Sequence, residues 1–441
     1  MKNIIVLMYN FPPIGAGRGI AWTYFCNELS KKYKLTVFTI SPSEYDPFYN
    51  ADKYKLISEN YQVIRTNAGP VYQRNVENWK RKASTSKSKK NEQPSSNSKQ
   101  IISKLINKAR KNLIFPDSTK FWNKFLGEAV LQFGQTQKVD LIISVGQPFS
   151  THILATKVRK KLGSKLILDY GDPWSFNPSA ETIPSERRWL DRLVEKQVLK
   201  QSNYVTVTTQ STRNAFEDNF PFVRDNIEVV TQGVDSSQFF DGKNVVHDKD
   251  EITLFYAGTF YKDIRNPKPL FEALYGLTDI LQGKKVKIII AGKMEDYVLK
   301  MAEPFTENQN ADIQVEMLGN ISFDEVANYQ KKADALLFFG NYGGVQVPGK
   351  LFEYLATDRP IFAIIPSGDE SERLLNSYSR GITVDYDTEQ IKKEFVNFLT
   401  SVENGTYDQL EPVLDYDWTV LSNQYLNIVK KVLGDAEEGK A

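Results

Sequence analysis

Short apolar runs alternate along the chain with stretches in which apolar residues recur every three or four positions, in two successive blocks. The short runs are typical of strands buried on both faces, and the periodic stretches of amphipathic helices. The predicted strands are residues 3–8, 35–40, 140–145, 165–170, 204–208 and 227–231, followed by 252–257, 286–291, 314–318, 335–339, 360–365 and 382–385. This alternation predicts an α/β protein with two Rossmann-like, doubly wound domains.

Helices are predicted between these strands, most clearly at residues 151–162 and 186–201. On the second helix one face carries Trp189, Leu190, Leu193 and Val194. Ser322 followed by Glu325 is the signature of a capping box, which marks a helix start. A last helix at 418–432 is expected to pack back on the first domain.

A length of 441 residues suits two domains. The expected N-terminal domain covers residues 1–235 and the C-terminal domain covers 236–415, with a C-terminal helical segment at 416–441. The polar run 236–250 is the expected hinge between the domains.

The composition, 41% hydrophobic and 25% charged, is that of a soluble globular protein, and no apolar run approaches the ~18 residues that span a bilayer. The first residues lack the features of a signal peptide, so we expect a cytoplasmic protein. Cys26 is the single cysteine, which excludes an internal disulfide and a Cys-rich metal site. With two histidines in the chain, we expect no metal centre.

Positive charge is concentrated between residues 74 and 124, which carry 14 Lys and Arg against three acids, while the whole chain has a net charge of +2. Within it, residues 81–100 are polar and lack aromatic side chains, so we predict a mobile basic insertion at about 74–120. Residues 101–113 fit a basic amphipathic helix. The segment is either a solvated insertion or a contact with an anionic membrane surface through 74–124, whereas the absence of interleaved aromatic residues disfavours nucleic acid.

A glycine-rich turn with Gly15, Gly17 and Gly19 follows the first predicted strand and opens a helix. The spacing is not the dinucleotide-binding pattern. The turn is either a structural tight turn or a loop whose backbone approaches a ligand.

Two further segments have the chemistry of a nucleoside diphosphate site. Gly258 and Thr259 end a predicted strand, and Lys262, Arg265 and Lys268 follow, which combines close backbone approach with charge neutralisation. Solvated surface cations are the alternative.

The second segment is a helix start at Pro348 and Gly349, with Lys350 in the first turn and Glu353 one turn later. A cation placed there opposes the helix dipole, which favours a bound anion, and Glu353 could accept hydrogen bonds from ribose hydroxyls. The alternative is an i,i+3 ion pair between the two side chains.

Several segments together resemble family-four glycosyltransferases of the two-Rossmann (GT-B) type, over almost the whole chain apart from about residues 72–100. They are residues 1–19, 232–235 (QGVD), 256–259 (YAGT), 318–321 (LGNI) and 348–356 (PGKLFEYLA), with Arg359 and Pro360. The resemblance implies two domains that face each other across a cleft. It also implies retaining hexosyl transfer from a UDP- or GDP-type sugar, with no cofactor or metal required.

The resemblance also implies roles for individual residues. Gly15 and Gly17 would face the donor phosphate or the acceptor, and Arg265, with Lys262 or Lys268, would hold the diphosphate. The backbone of Asn320 and Ile321 would contact the nucleobase, and Glu353 would bind the ribose. The remaining donor-binding residues are Gly258, Thr259, Lys350 and Leu351.

Two residues are candidates for catalysis. Asp172 resembles the acidic residue that one subgroup of the family carries near the reacting sugar, although an Asp-Pro turn also has a structural interpretation. His152 lies at a loop-to-helix junction after a predicted strand, where either a catalytic or a structural role is open.

The chain departs from the family at Val345, where the usual motif has a second glutamate. The backbone of Gly343 and Gly344 is expected to replace its sugar contacts. The leading interpretation is a transferase for a lipid-linked or cell-envelope glycan, peripheral on the inner face of the plasma membrane. The alternatives are a catalytically silent GT-B scaffold, a glycan-binding partner, or a nucleotide-sugar epimerase.

Overall fold

The computed structural model describes residues 1–15, 18–85, 115–177, 184–240, 251–277, 281, 283–306, 312–342 and 347–435. The chain forms two compact α/β units. Unit 1 comprises Met1–Thr231 together with Leu421–Ala441, and unit 2 comprises Gln232–Val420.

Unit 1 contains a parallel sheet with the strand order β3-β2-β1-β4-β5-β6-β7. Its strands are β1 (Asn3–Leu7), β2 (Lys34–Ile40), β3 (Gln62–Thr66), β4 (Leu141–Gly146), β5 (Lys165–Tyr170), β6 (Tyr204–Val207) and β7 (Ile227–Val229). Its helices are α1 (Gly19–Leu29), α2 (Pro70–Thr85), α3 (Trp122–Thr136), α4 (Ser150–Leu162), α5 (Ser185–Leu199) and α6 (Gln210–Asn219). The order reverses at β1, which pairs with both β2 and β4, so the loop after β1 leaves the sheet at a topological switch point.

Unit 2 repeats this architecture with the strand order β10-β9-β8-β11-β12-β13, again parallel. Its strands are β8 (Glu251–Ala257), β9 (Lys285–Ala291), β10 (Ile313–Gly319), β11 (Ala335–Phe339), β12 (Ile361–Ile364) and β13 (Gly381–Val384). Its helices are α7 (Lys268–Tyr275), α8 (Asp296–Thr306), α9 (Phe323–Lys332), α10 (Gly349–Leu355), α11 (Glu370–Ser377) and α12 (Thr388–Glu403). The switch point falls at β8, which pairs with β9 and β11. The capping box of Ser322 and Glu325 at the start of α9 is confirmed.

The predicted fold class of two parallel doubly wound domains is confirmed, and each predicted strand corresponds to an observed one. The sequence prediction missed β3, because Gln62 and Arg65 interrupt its apolar pattern. This strand lies at the edge of the sheet, where burial is incomplete and polar residues are tolerated.

The last helix, α13 (Trp418–Leu433), continues from unit 2 into unit 1. The ring of Tyr425 lies 4.9 Å from that of Trp22 and 5.0 Å from that of Phe25, centroid to centroid. All three side chains are fully buried, so this helix forms part of the core of unit 1.

The predicted helix at 186–201 is present as α5, but its apolar face is not its buried face. Trp189, Leu190 and Leu193 are exposed, whereas Asp191 and Glu195 are buried. Of the four apolar residues on that face, Val194 packs against the core of unit 1 and the other three lie at the surface.

The basic segment is described in part. Its first residues belong to α2, and Ser118–Phe121 form a short 3-10 helix at its other end. The predicted amphipathic helix at 101–113 and most of the predicted mobile insertion lie outside the described residues. Among the described residues, no helix is both long and apolar enough to cross a membrane.

Candidate active site

The backbone of the loop that follows β8 packs directly against the backbone at the end of β9. The amide of Gly258 donates a hydrogen bond to the carbonyl of Ala291 at 2.9 Å. A Cβ atom at Gly292, which has a φ of +130°, would lie 2.2 Å from the Gly258 carbonyl oxygen. Only glycine fits at Gly292, and the main chain of Gly258 and Thr259 is thereby fixed at the carboxyl end of β8.

Arg265 is the best-positioned cation of this loop. Its Nη2 and Nε atoms donate to Asn341 Oδ1 at 2.7 and 3.2 Å. Its backbone pairs with that of Tyr261, whose carbonyl accepts from the Arg265 amide at 2.8 Å. The guanidinium also opposes the burial that raises the pKa of Tyr256. Arg265 is therefore half-buried and held in one orientation.

Lys350 and Glu353 form the i,i+3 ion pair that the sequence allowed as an alternative. Lys350 Nζ lies 2.6 Å from Glu353 Oε2, and the Gln330 amide donates weakly to the same oxygen at 3.4 Å. The lysine side chain is 30% exposed and the glutamate 18%. The pair leaves Glu353 Oε1 without a protein partner among the described residues, so this oxygen is available to a ligand hydroxyl.

Tyr354 connects α10, which carries Lys350 and Glu353, to the end of β8, where the Gly258 loop begins. Its buried hydroxyl accepts a hydrogen bond from the Ala257 amide at 3.2 Å, which ties α10 to the end of β8. The pKa of Tyr354 is raised above its ordinary value, chiefly by burial, with Glu353 raising it further and Arg265 opposing the shift. The structure therefore brings Arg265, Glu353 and the Gly258 loop into one neighbourhood of unit 2.

The other predicted donor residues of unit 2 have varied surroundings. Lys262 is exposed, and Lys268 forms an ion pair with Glu272 at 3.2 Å on α7. Asn320 is exposed beside Ile321, just before the capped start of α9. Leu351 is fully buried, so its side chain anchors α10. Gly17, Gly343, Gly344 and Val345 lie outside the described residues.

In unit 1, a buried ion pair fixes the start of α1. Arg18 Nε and Nη2 donate to the two oxygens of Asp169 at 2.8 and 3.1 Å. The Trp22 indole and the Thr206 hydroxyl donate to the same carboxylate at 2.9 and 2.7 Å. With these partners the buried carboxylate is fully hydrogen-bonded, so the glycine loop that ends at Arg18 is tied to β5.

Asp172 lies three residues beyond that ion pair, at the carboxyl end of β5. Gln147 donates to Asp172 Oδ2 at 3.1 Å. Burial raises the pKa of Asp172, and the charge of Arg18 opposes that shift. An acid with a raised pKa beside a switch-point loop is suited to proton exchange with a ligand hydroxyl.

His152 is placed differently. Its ring is fully buried, its Nδ1 lies 2.8 Å from the Ser144 hydroxyl, and it packs 4.7 Å from the ring of Tyr170. Burial lowers the pKa of His152 to about 3, so the ring is neutral. These surroundings agree with a structural role, and the catalytic role stays a prediction.

Gly15 and Gly19 are the glycines of the glycine-rich turn that the structure describes. The amide of Gly15 donates a hydrogen bond to the Phe48 carbonyl at 2.9 Å. At the first position of α1, a Cβ on Gly19 would lie 2.9 Å from the Asn10 carbonyl oxygen, so glycine permits the close approach of the helix to that loop.

Unit 1 also contains a groove at the carboxyl ends of β2 and β3 that the sequence did not indicate. Its volume is about 490 Å³, and it is lined by Ser41, Asn67, Ala68, Tyr72, Gln73, Val76 and Glu77. Asn67 Oδ1 accepts from Gln73 Nε2 at 3.2 Å, and the carboxylate of Glu77 has no partner among the described residues. The lining contains amides, hydroxyls and one carboxylate but no cation, which suits a neutral ligand rich in hydroxyl groups.

Sequence reasoning missed Asn341 and Gln330, the partners of Arg265 and Glu353. Asn341 comes two residues after β11, so the rule that ligand sites gather at the carboxyl ends of strands could have found it. Among the described residues, no group of three His, Cys, Asp or Glu side chains is arranged to hold a metal ion.

Comparison with known proteins finds structural likeness without sequence likeness. No protein-family model matches the chain, and no curated protein matches it significantly in sequence. A glycosyltransferase from Rickettsia africae ESF-5 aligns over 99% of both chains with a TM-score of 0.59 and 12% identity. Anabaena Alr3699/HepE, in complex with UDP and glucose, aligns over 98% of this chain and 100% of its own, with a TM-score of 0.55 and 12% identity.

An epimerase has a similar fold. The UDP-GlcNAc 2-epimerase from Methanocaldococcus jannaschii aligns over 98% of this chain and 100% of its own, with a TM-score of 0.51 and 13% identity. The chain therefore has the fold shared by GT-B glycosyltransferases and these epimerases.

Proposed function

We propose that this protein is a retaining glycosyltransferase of family four, which moves a sugar from a UDP- or GDP-type donor to a glycan acceptor. The observation that carries the proposal is the neighbourhood in unit 2 where the charges of Arg265 and Glu353 both act on the buried Tyr354, which is bonded to the end of β8. A fixed cation, a strand-end glycine and a carboxylate with one unused oxygen are the groups that a nucleoside diphosphate requires.

In the proposed reaction, the bond between the anomeric carbon of the donor sugar and the diphosphate breaks. A bond to an acceptor oxygen forms on the same face of the sugar, and the acceptor's proton passes to the departing diphosphate or to solvent. Arg265, Lys350 and the Gly258 and Thr259 amides stabilise the charge that develops on the leaving group. These groups supply the neutralisation that a metal ion provides in other transferases, so we propose that none is required.

Glu353 binds the donor ribose in this proposal. Its Oε2 stays paired with Lys350, and its Oε1 accepts a hydrogen bond from a ribose hydroxyl. The ion pair then has a second use, since it holds the carboxylate in the orientation that the ribose needs. Asn320 and Ile321 contact the nucleobase through their backbone.

Unit 1 binds the acceptor in this proposal. Asp172 lies near the reacting sugar, and the groove beside Asn67 and Glu77 takes a neutral sugar ring of the acceptor. A lipid-linked acceptor of the cell envelope agrees with the basic segment 74–124, which would hold the enzyme on the inner face of the plasma membrane.

The decisive test is calorimetric titration with UDP and with GDP, followed by nucleotide release from UDP- and GDP-sugars. Wild-type protein should bind one of the two nucleotides, and Arg265→Ala should lose that affinity. Arg373→Ala serves as the matched control, because Arg373 is an exposed arginine on α11 of the same unit. The absence of affinity for both nucleotides in folded protein would refute the proposal.

An epimerase is the second candidate, favoured by the likeness to the UDP-GlcNAc 2-epimerase. It predicts that UDP-N-acetylglucosamine alone is converted to its C2 epimer, which NMR of the sugar protons detects without any acceptor. A catalytically silent scaffold predicts nucleotide binding with no turnover of any donor, with or without acceptors.

A further inference from the structure

Helix α5 buries two acids beside Val198 and Leu199, and it exposes three large apolar side chains. Asp191 and Glu195 are 3% and 0% exposed, whereas Trp189, Leu190 and Leu193 are 65%, 40% and 42% exposed. An ordinary surface helix has the opposite arrangement. The exposed apolar group is therefore a feature that needs a physical reason.

The buried acids fix this orientation. Asp191 Oδ1 accepts from the Trp174 indole at 2.9 Å, and its Oδ2 lies 3.1 Å from Arg187 Nε. Glu195 Oε2 accepts from the Ser175 amide at 3.0 Å. Rotation of the helix would break these buried hydrogen bonds, so the apolar residues are held at the surface.

A second element, beside the C-terminal end of α5, also exposes an aromatic side chain. Phe222, in the 3-10 helix Pro221–Asn226, is 43% exposed, and Lys200 Nζ lies 6.0 Å from the centre of its ring. The α5 patch, defined as Trp189, Leu190, Leu193 and Phe222, thus comes from two separate elements.

The charges around the α5 patch are mostly positive. The exposed cations of the helix are Arg188, Arg192, Lys196 and Lys200, and its exposed acid is Glu186. Exposed tryptophan and leucine flanked by lysine and arginine are typical of helices that lie in the interface of an anionic bilayer.

The surroundings favour a lipid surface over the chain's own basic segment. Arg187 donates to the Pro116 carbonyl and lies 4.7 Å from the centre of the Phe115 ring, and both of these residues belong to the basic segment. The segment and α5 both carry a net positive charge, so an anionic surface attracts both.

We propose that the α5 patch inserts into the interface of an anionic membrane, with Trp189 and Leu193 among the lipid headgroups and Lys196 and Lys200 on the phosphates. The α5 patch belongs to unit 1 and the proposed donor site to unit 2, so this proposal does not rest on sugar transfer.

Flotation of the full chain with lipid vesicles tests the proposal. Wild-type protein should bind vesicles of phosphatidylcholine with phosphatidylglycerol, and bind pure phosphatidylcholine far less. The variant with Lys196→Gln and Lys200→Gln should lose about fivefold in affinity for each cation removed. The variant with Trp189→Ser and Leu193→Ser should lose at least about tenfold.

The matched control combines Leu299→Ser with Lys300→Gln, an exposed leucine and lysine on α8 of unit 2, and should bind like wild type. Brominated lipid should quench part of the tryptophan fluorescence of the wild-type protein. The Trp189→Phe variant should lack that quenched part. Wild-type protein that binds no anionic vesicles, or α5 variants that bind like wild type, would overturn the proposal. UDP titration of the same samples tests the proposed function independently of lipid. A failure of membrane binding can therefore be distinguished from a failure of the proposed function.

Discussion

Arg265 donates two hydrogen bonds to a single atom, Asn341 Oδ1, at 2.7 and 3.2 Å. This contact orients the guanidinium through its Nη2 and Nε edge. Asn341 is thus a positioning residue for the proposed donor site.

Asn341→Ala should weaken UDP or GDP binding by about tenfold, because a charge-assisted hydrogen bond contributes ~1.5–3 kcal/mol and the arginine loses its fixed orientation. Calorimetry measures the affinity, and the melting temperature should change little. Asn328→Ala, at an exposed position on α9, is the control. An unchanged affinity for Asn341→Ala would remove Asn341 from the site.

Glu353→Gln should raise the donor KM and lower nucleotide affinity, because the neutral amide no longer holds Lys350 and is a weaker acceptor for the ribose. We expect a loss of about ten- to a hundredfold. The corresponding 2′,3′-dideoxynucleotide should bind wild type and variant alike. If the variant loses affinity for the dideoxynucleotide to the same extent, the carboxylate acts on the phosphates or on folding.

Asp172→Asn should lower kcat by about a hundredfold or more and leave nucleotide affinity unchanged, since its proposed role concerns the reacting sugar. His152→Asn should instead lower the melting temperature, because it disturbs a ring packed in the core against Tyr170. Parallel measurements of turnover and melting distinguish these roles. A His152 variant with normal stability and no turnover would restore the catalytic interpretation.

Glu195 should make the stability of the protein depend on pH. Burial raises the pKa of Glu195 from 4.5 to about 7, so the folded protein favours the protonated acid. Its stabilising effect is complete below pH 4.5 and is lost as the pH rises to about 7. Glu195→Gln should therefore flatten the decline in melting temperature over this range, relative to wild type. Glu186→Gln, exposed on the same helix, should leave the profile unchanged.

The groove in unit 1 yields a prediction about the acceptor. Gln73→Ala and Glu77→Gln should raise the KM for a saccharide acceptor by about three- to tenfold, because each removes or weakens hydrogen bonds to hydroxyl groups. Nucleotide affinity should not change. Arg74→Ala, an exposed neighbour on α2 outside the groove lining, is the control. Equal acceptor KM values in all the proteins would exclude the groove.

The fold was largely predictable because buried parallel strands leave continuous apolar runs. β5 and β11 were found to the residue, at Lys165–Tyr170 and Ala335–Phe339. β3 was not, because an edge strand needs no such run. The burial of Asp191 and Glu195 on α5 could not be predicted, since it depends on hydrogen bonds from Trp174 and Ser175, which no local pattern encodes.

The candidate site was predictable at the level of segments but not of contacts. Gly258 and the cations that follow it, including Arg265, can be recognised in the sequence because they come directly after a predicted strand. Their partner Asn341 lies 76 residues further along the chain, and only the pairing of β8 with β11 brings the two segments together. At the first turn of α10 the sequence left open a bound anion or an i,i+3 ion pair, and the structure pairs Lys350 with Glu353.

The stacking of Tyr425 on Phe25 means that unit 1 is discontinuous along the chain. A nascent polypeptide cannot complete this unit until residues beyond 425 have left the ribosome, whereas every strand of unit 2 has by then been synthesised. Unit 2 can therefore finish folding first, and a fragment that stops at Thr231 would expose Trp22 and Phe25 to water and aggregate.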